Sequence, residues 1–162
     1  MDLQMRQQLL SLSALFASLA IAVLFFLIVP RPRVERTLFF PGAIQRTLTG
    51  ETRLVPPAED RREALRVVVE EVILGPVSIE STRALPKQTN VNIVALRDDT
   101  AYIDLSHDVV FDEEGVNLTF DERIQALIQS IRFNFRSIDQ VVVTVGGQTA
   151  YAPHYNLPES RN

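Results

Sequence analysis

The sequence predicts an α+β domain, a two-layer sandwich with the element order β-β-α-β-β-α-β-β, preceded by one transmembrane helix. Two segments, 61–74 and 120–135, carry apolar residues at helical spacing, so each must bury one face. Strand-like runs flank each segment in pairs. Because two amphipathic helices need an apolar surface to cover, we expect both to pack on one mixed sheet.

The N-terminal region predicts a membrane anchor. After a short tail at 1–8, residues 9–29 carry no charged side chain. As a helix this run measures about 31 Å, at about 1.5 Å per residue, against a bilayer core of about 30 Å. A cleaved signal peptide is the alternative, but its small-residue cleavage site would fall at 17–20, in the middle of the apolar run. Residues 30–35, rich in proline and arginine, form a linker.

Charge alone leaves the orientation of this anchor open. Arg6 precedes the span, whereas Arg31, Arg33 and Arg36 follow it, which taken simply would keep the large domain in the cytoplasm. Long domains, however, cross the membrane largely regardless of charge. The arginine count therefore decides little.

The first half of the domain is predicted to form two strands and a helix. We expect strands at 37–40 and 48–55, separated by a loop that begins with Pro41-Gly42. Asp60 is placed to cap a helix over 61–74, because its carboxylate can accept amide protons of the first turn. Gly75-Pro76 ends that helix.

The second half repeats the pattern. Strands are expected at 91–96 and 100–105 around an Asp98-Asp99 turn, and a loop follows over 106–118. Thr119 and Glu122 fit a capping box that opens a helix running to about Phe135.

The chain closes with a hairpin and a tail. Strands at 140–145 and 148–151 flank Gly146-Gly147, which favours a two-residue turn because both glycines accept positive φ. The polar segment 153–162 is expected to be a flexible tail.

Composition excludes several classes of function. The chain has no cysteine, which removes disulfides, thiolate metal sites, a thiol nucleophile and a lipid-modified cysteine. Two histidines are too few for a histidine-rich metal site. A net charge of −4 argues against a nucleic-acid partner.

The residues that bear candidate chemistry favour structural roles. Ser106-His107-Asp108 has the residue types of a hydrolase triad, but three consecutive residues cannot ordinarily place serine and aspartate on opposite imidazole nitrogens. For Asp104 we expect a structural hydrogen bond to a nearby loop amide. Nothing fixes a metal geometry for Asp104, His107 and Asp108. We therefore assign no catalytic, cofactor-binding or metal-binding residue, and no cofactor.

Three further features stay open between a binding site and ordinary surface. Asp112-Glu113-Glu114 offers hard oxygens to calcium but lacks the alternating spacing of a calcium loop, so a solvated loop tip is favoured. Arg123, Arg132 and Arg136 form either a basic stripe for an anionic partner or solvated surface. Phe39 and Phe40 alternate along a strand, so one faces the core; the other is more often a covered ring, but if exposed it marks a partner surface.

The domain at 36–152 resembles the GerMN family, named for sporulation and spore germination proteins. The pieces that carry the resemblance are an aromatic first strand, a strand ending in arginine, a helix ending in Leu-Gly-Pro, a Leu-Pro before threonine, an Asp-Leu-Ser strand, and a valine-rich strand ending in glycine. They lie at 38–40, 51–53, 74–76, 85–89, 101–106 and 141–147. Gln88 departs from the family's usual glycine.

The resemblance implies a non-enzymatic, extracytoplasmic bacterial domain that acts in cell-envelope or spore assembly by protein–protein binding. With the anchor, it implies a single-pass protein of the cytoplasmic membrane whose C-terminal domain lies outside and binds other envelope proteins or cell wall. A tethered peptidoglycan- or glycan-binding module is the alternative. A hydrolase is less favoured, because the sequence supplies no convergent catalytic groups.

Overall fold

The structure is a computed structural model that describes the backbone of residues 3–28, 32–45, 47–111 and 118–151. It divides into two compact units, Met1–Pro32 and Arg33–Asn162. The first unit contains helix α1, Leu3–Ile28. Its described side chains, at 11–25, are all exposed, among them Leu15, Phe16 and Phe25. Within the described residues, no helix is both long and apolar enough to cross a membrane.

The second unit begins with an antiparallel pair of strands, β1 (Val34–Pro41) and β2 (Leu48–Val55). Helix α2 (Arg61–Leu74) follows, and the Asp60 carboxylate accepts the amide proton of Glu63 at 2.7 Å, as the sequence predicts. The helix ends at Gly75, whose φ of 82° lies in the region that favours glycine.

The remaining strands form one four-stranded sheet in the order β3-β4-β5-β6. Their bounds are Val91–Arg97, Thr100–Leu105, Gln140–Val145 and Gln148–Tyr151. β4 and β5 run parallel and the other pairs antiparallel, so the sheet is mixed. Helix α3 (Phe120–Asn134) joins the parallel pair and begins with the predicted capping box of Thr119 and Glu122. A short 3-10 helix, His107–Val110, lies within the predicted loop.

The hydrophobic core lies between α2, α3 and the sheets, as expected for two layers. Leu65, Val68 and Val72 of α2 are completely buried, and so are Ile124 and Leu127 of α3. The α+β class, the strand order along the chain and the apolar faces of both helices are therefore confirmed.

The expectation of one sheet is wrong, because β1 and β2 form a separate two-stranded sheet. Polar side chains of α3 occupy the outer edge of β1. The Phe39 amide donates to Ser130 Oγ at 2.8 Å, and the Thr37 amide donates to Asn134 Oδ1 at 3.1 Å. Asn134 Nδ2 in turn donates to the Thr37 carbonyl at 2.6 Å. Since helix side chains satisfy these backbone groups, no strand of the larger sheet is needed there.

Candidate functional site

Asp104, at the end of β4, holds the β5–β6 hairpin. Its Oδ1 accepts the Thr144 hydroxyl proton at 2.6 Å and the Gly147 amide proton at 2.8 Å, while its Oδ2 accepts from Asn92 Nδ2 at 2.9 Å. The hydrogen bond from Thr144 is the largest cause that lowers the pKa of Asp104; partial burial opposes it, and the other donors add to it. The predicted hydrogen bond to a loop amide is confirmed.

Ser106, His107 and Asp108 are not arranged as a triad. The Ser106 hydroxyl donates to Asp108 Oδ2 at 2.8 Å and accepts the Asn90 amide proton at 3.0 Å. Among the described residues, no hydrogen bond joins Ser106 to His107, and no cluster of three metal-ligating side chains forms. The serine therefore binds the aspartate side chain and the backbone of the segment before β3.

The His107 ring packs against the backbone of Gly146. A Cβ atom added to Gly146 would lie 2.0 Å from the ring carbon Cε1, and the φ of Gly146 is +56°. Only glycine fits both the turn and this close approach. The sequence predicts the turn, but the contact with His107 depends on the tertiary fold.

Arg123 does not belong to a basic stripe, and the prediction that groups it with Arg132 and Arg136 is wrong. Its side chain is 2% exposed, and Nη1 donates to the carbonyls of Phe111 at 2.8 Å and Val109 at 3.3 Å. The guanidinium thus ties α3 to the end of the 3-10 helix. Arg132 and Arg136 are exposed. The acidic run at 112–114 lies outside the described residues.

Phe40 is completely buried, whereas Phe39 lies on the opposite face of β1 and contacts the ring of Phe133 edge-on, with centroids 5.3 Å apart. The prediction that one of the two phenylalanines faces the core is confirmed. Phe133 itself is 57% exposed, so the pair forms a small aromatic surface beside α3.

A charged network joins β2 to the loop that follows α2. Arg53 Nε donates to Glu51 Oε1 at 2.7 Å, Nη1 to Glu71 Oε2 at 3.0 Å, and Nη2 to the Gly75 carbonyl at 2.6 Å. Its guanidinium also lies 5.3 Å from the centroid of the Phe40 ring. The resemblance marks Arg53, but its contacts with Glu71 and Gly75 were not predicted, because these residues lie 18 and 22 positions further along the chain.

Glu51 connects this network to the loop backbone. Its carboxylate accepts the amide protons of Val77 at 3.1 Å and Ser78 at 3.2 Å. Partial burial is the largest cause and raises the pKa of Glu51, but the hydrogen bonds from Arg53 and the two amides together outweigh it, so the pKa lies below its ordinary value. An ionised Glu51 thereby holds the loop after α2 against β2.

The loop between β1 and β2 and the loop after α2 enclose a groove of about 580 Å³. One wall is formed by 42–45 and Thr47, the other by 78–81, and Thr49, Gly50 and Glu51 of β2 form its floor. Arg46 lies outside the described residues. The Ala43 amide donates to the Glu80 carbonyl at 2.8 Å, which joins the two loops.

Two isoleucines line this groove from opposite loops. Ile44 is 92% exposed and Ile79 is 96% exposed, the highest values among the large apolar side chains that the structure describes. Sequence reasoning missed both. The only available signal was an isoleucine within each of two loops that start with Pro-Gly or Gly-Pro.

The matches to known proteins fall on the domain that follows the linker. A family model described as sporulation and spore germination matches residues 37–151. The tandem GerMN domains of the sporulation protein GerM from Bacillus subtilis superpose with a TM-score of 0.54 at 22% identity, covering 73% of this chain and 41% of that one.

The first GerMN domain of the same protein gives a TM-score of 0.52 at 23% identity, covering 72% of this chain and 85% of that one. At these identities the two structures show the fold alone. The chain spans less than half of the tandem-domain structure. No curated protein matches the chain.

Proposed function

The chain belongs to the Germane family of sporulation and spore germination proteins, which confirms the resemblance to the GerMN domain. On this premise we propose that it acts as a membrane-anchored, non-enzymatic interaction domain in bacterial cell-envelope or spore assembly. Its role is to bind another protein of the envelope.

The groove between Ile44 and Ile79 is the observation that carries this proposal. Two large apolar side chains stand almost fully in water on facing loops, although the core nearby is well packed. Covering one such side chain contributes about 1.5–3 kcal/mol. A partner that fills the groove gains this contribution from both, which is the usual source of affinity in a protein interface.

The polar residues with candidate chemistry support a non-enzymatic role. The Asp104 carboxylate accepts hydrogen bonds that hold the β5–β6 turn, and Ser106 bonds to Asp108 and to the Asn90 backbone. Glu51 and Arg53 fix the loop after α2.

As the anchor we propose the uncharged run 9–29, which extends past the end of α1 and beyond the described residues, among which no helix is long and apolar enough to cross a membrane. Residues 9–29 carry no charge, and the described side chains of α1 are exposed, as expected for a helix that meets lipid. We place the protein in the cytoplasmic membrane with a single span and the domain outside. Protease treatment of intact spheroplasts tests this orientation: digestion of the domain from outside supports it, and protection until lysis contradicts it.

Glycan binding is the second candidate, and the aromatic surface of Phe39 and Phe133 favours it, because sugars stack on exposed rings. Purified sacculi distinguish the two candidates. If the full chain in detergent pellets with sacculi stripped of protein, and Phe133→Ala abolishes pelleting, the glycan candidate replaces protein binding. Absence of pelleting leaves protein binding as the function.

Site-directed photo-crosslinking in cells tests the main proposal. Ile44 or Ile79 is replaced in the full chain by p-benzoylphenylalanine, and Ile93, which is 58% exposed on β3, serves as the matched control. We expect crosslinks to one envelope protein from the groove positions and none to it from position 93. Equal crosslinking from all three positions, or none from any, would contradict the proposal.

A further inference from the structure

The two edges of the β1–β2 sheet are treated differently by the fold. Along β1, several backbone groups that face away from β2 are engaged: the Thr37 amide and carbonyl and the Phe39 amide by α3, and the Pro41 carbonyl by the Thr82 amide at 2.8 Å. Polar side chains of α3 and the segment at Thr82 thus occupy the edge from Thr37 to Pro41, which obstructs the addition of a further strand there.

The β2 edge is open, and the register shows which groups it presents. Residues opposite each other in an antiparallel pair point their backbone groups in opposite senses, either both toward the partner strand or both away from it. Thr52 lies opposite Thr37, and Gly50 lies opposite Phe39. Because Thr37 and Phe39 bond outward, the N–H and C=O groups of Gly50 and Thr52 also point outward. In the described part of the chain, these groups have no hydrogen-bond partner.

The devices that usually protect an edge strand are absent from this stretch of β2. Charged side chains, proline and bulges discourage strand addition. The two charged residues here, Glu51 and Arg53, are instead bound to each other and to the loop after α2. Gly50 has no side chain to shield its backbone, and the described strand pairs with β1 without a register shift.

This open edge leads into the apolar groove, since Gly50 lies both on the edge and in the groove floor. We propose, resting on the protein-binding function above, that an extended segment of an envelope protein adds to β2 as a third strand, bonding to the backbone of Gly50 and Thr52. Side chains of an extended strand alternate in direction, so every second one can enter the groove between Ile44 and Ile79. The segment therefore carries apolar side chains at alternate positions.

A second copy of this chain fits the site less well. If β2 of a second copy added to this edge, the alternate side chains at its centre would be Thr49, Glu51 and Arg53, and none of them is apolar. Glu51 and Arg53 are also already engaged. A foreign segment with apolar residues supplies the contact that Ile44 and Ile79 lack.

The test begins with the protein segment that crosslinks to position 79, mapped by mass spectrometry and made as a synthetic peptide. Amide hydrogen exchange is measured on the full chain in nanodiscs with and without this peptide. Strand addition predicts slower exchange at Gly50 and Thr52, because outward amides become hydrogen-bonded, and little change at the amides of Thr49 and Glu51, which already bond to β1.

A matched pair of variants completes the test. Thr52→Pro removes one outward N–H that β1 does not use, and it shares with Thr52→Val the loss of the 3.0 Å hydroxyl contact with Thr37, so we expect the two variants to melt alike and only the proline variant to bind about tenfold or more weakly. Thr52→Val keeps the backbone and should bind as the original chain does. Equal binding by both variants, or no protection of Gly50 and Thr52, would refute strand addition while leaving groove binding intact.

Other outcomes separate this inference from the function beneath it. A crosslinked segment that belongs to this chain would show that the occupant is a second copy and overturn the proposal. A helical segment bound without edge protection would also overturn it, with protein binding still supported. Absence of all crosslinks from positions 44 and 79 would contradict both strand addition and protein binding at the groove.

Discussion

The backbone amide of Phe39 in β1 donates a 2.8 Å hydrogen bond to the hydroxyl of Ser130, a completely buried residue of α3 that lies 91 positions further along the chain. The same hydroxyl donates to the Ala126 carbonyl at 2.8 Å. One small side chain therefore joins the outer edge of β1 to the helix that lies beside it, whereas Gly50 and Thr52 at the β2 edge have no such contact in the described part of the chain.

Ser130→Ala leaves the partly buried Phe39 amide without its acceptor. An unsatisfied buried donor costs about 1–3 kcal/mol, so we expect a loss of that size in the free energy of unfolding measured with denaturant. Gln129→Ala, at the exposed neighbouring position, should change it by less than about 0.5 kcal/mol. Equal stabilities of the two variants would show that β1 does not depend on this bond.

Leu127→Ala tests the apolar face of α3. Leu127 is completely buried, and truncating such a leucine costs about 2–5 kcal/mol through lost contacts and the cavity left behind. Denaturant unfolding measures the loss. A change below about 0.5 kcal/mol would mean that the helix packs by another face.

Asp104→Asn tests the charge at the β5–β6 turn. Because the hydrogen bond from Thr144, with the other donors, lowers the pKa of Asp104 in the folded state, its stabilisation is present above the ordinary pKa and is lost as the pH falls through the lowered one. We expect the asparagine variant to lose about 1–2 kcal/mol at pH 7. The difference should shrink towards pH 3.

Asp99→Asn, at an exposed turn, is the control for that titration. Its unfolding should follow the original chain at both pH values. A gap between Asp104→Asn and the original chain that stays constant from pH 7 to pH 3 would show that the ionised carboxylate is not the stabilising species.

Gly146→Ala and Gly147→Ala separate backbone strain from steric overlap. Both glycines have positive φ, but an added Cβ meets the His107 ring only at Gly146, with nothing within 4 Å at Gly147. We expect a cost of about 1–2 kcal/mol at Gly147 and a larger one at Gly146. Adding His107→Ala should recover part of the Gly146 loss and none of the Gly147 loss.

Local features were predictable from the sequence because their causes lie within a few residues. The Asp60 cap, the capping box of Thr119 and Glu122, and the Gly146-Gly147 turn all follow from short-range hydrogen bonding and backbone geometry. The apolar stripes of α2 and α3 follow from periodicity. Each of these elements lies where the pattern places it.

Features that depend on distant contacts were not predictable. From the sequence Arg123 is expected on the surface, but in the fold it binds the carbonyls of Val109 and Phe111. Ser130 is expected to be an ordinary polar helix position, but in the fold it binds the amide of Phe39. The separate β1–β2 sheet follows from that second contact. The candidate groove escaped prediction for the same reason, since Ile44 and Ile79 are brought together by the fold.

The most direct test of the account measures binding of the full chain to the protein that crosslinks at the groove, by titration calorimetry. Ile79→Asp is compared with Ile93→Asp, which places the same charge at an exposed isoleucine of the other sheet. The account predicts affinity reduced at least about tenfold for Ile79→Asp, since a charge replaces a buried apolar contact, and unchanged affinity for Ile93→Asp. Equal affinities for the two variants, with both melting as the original chain does, would contradict it.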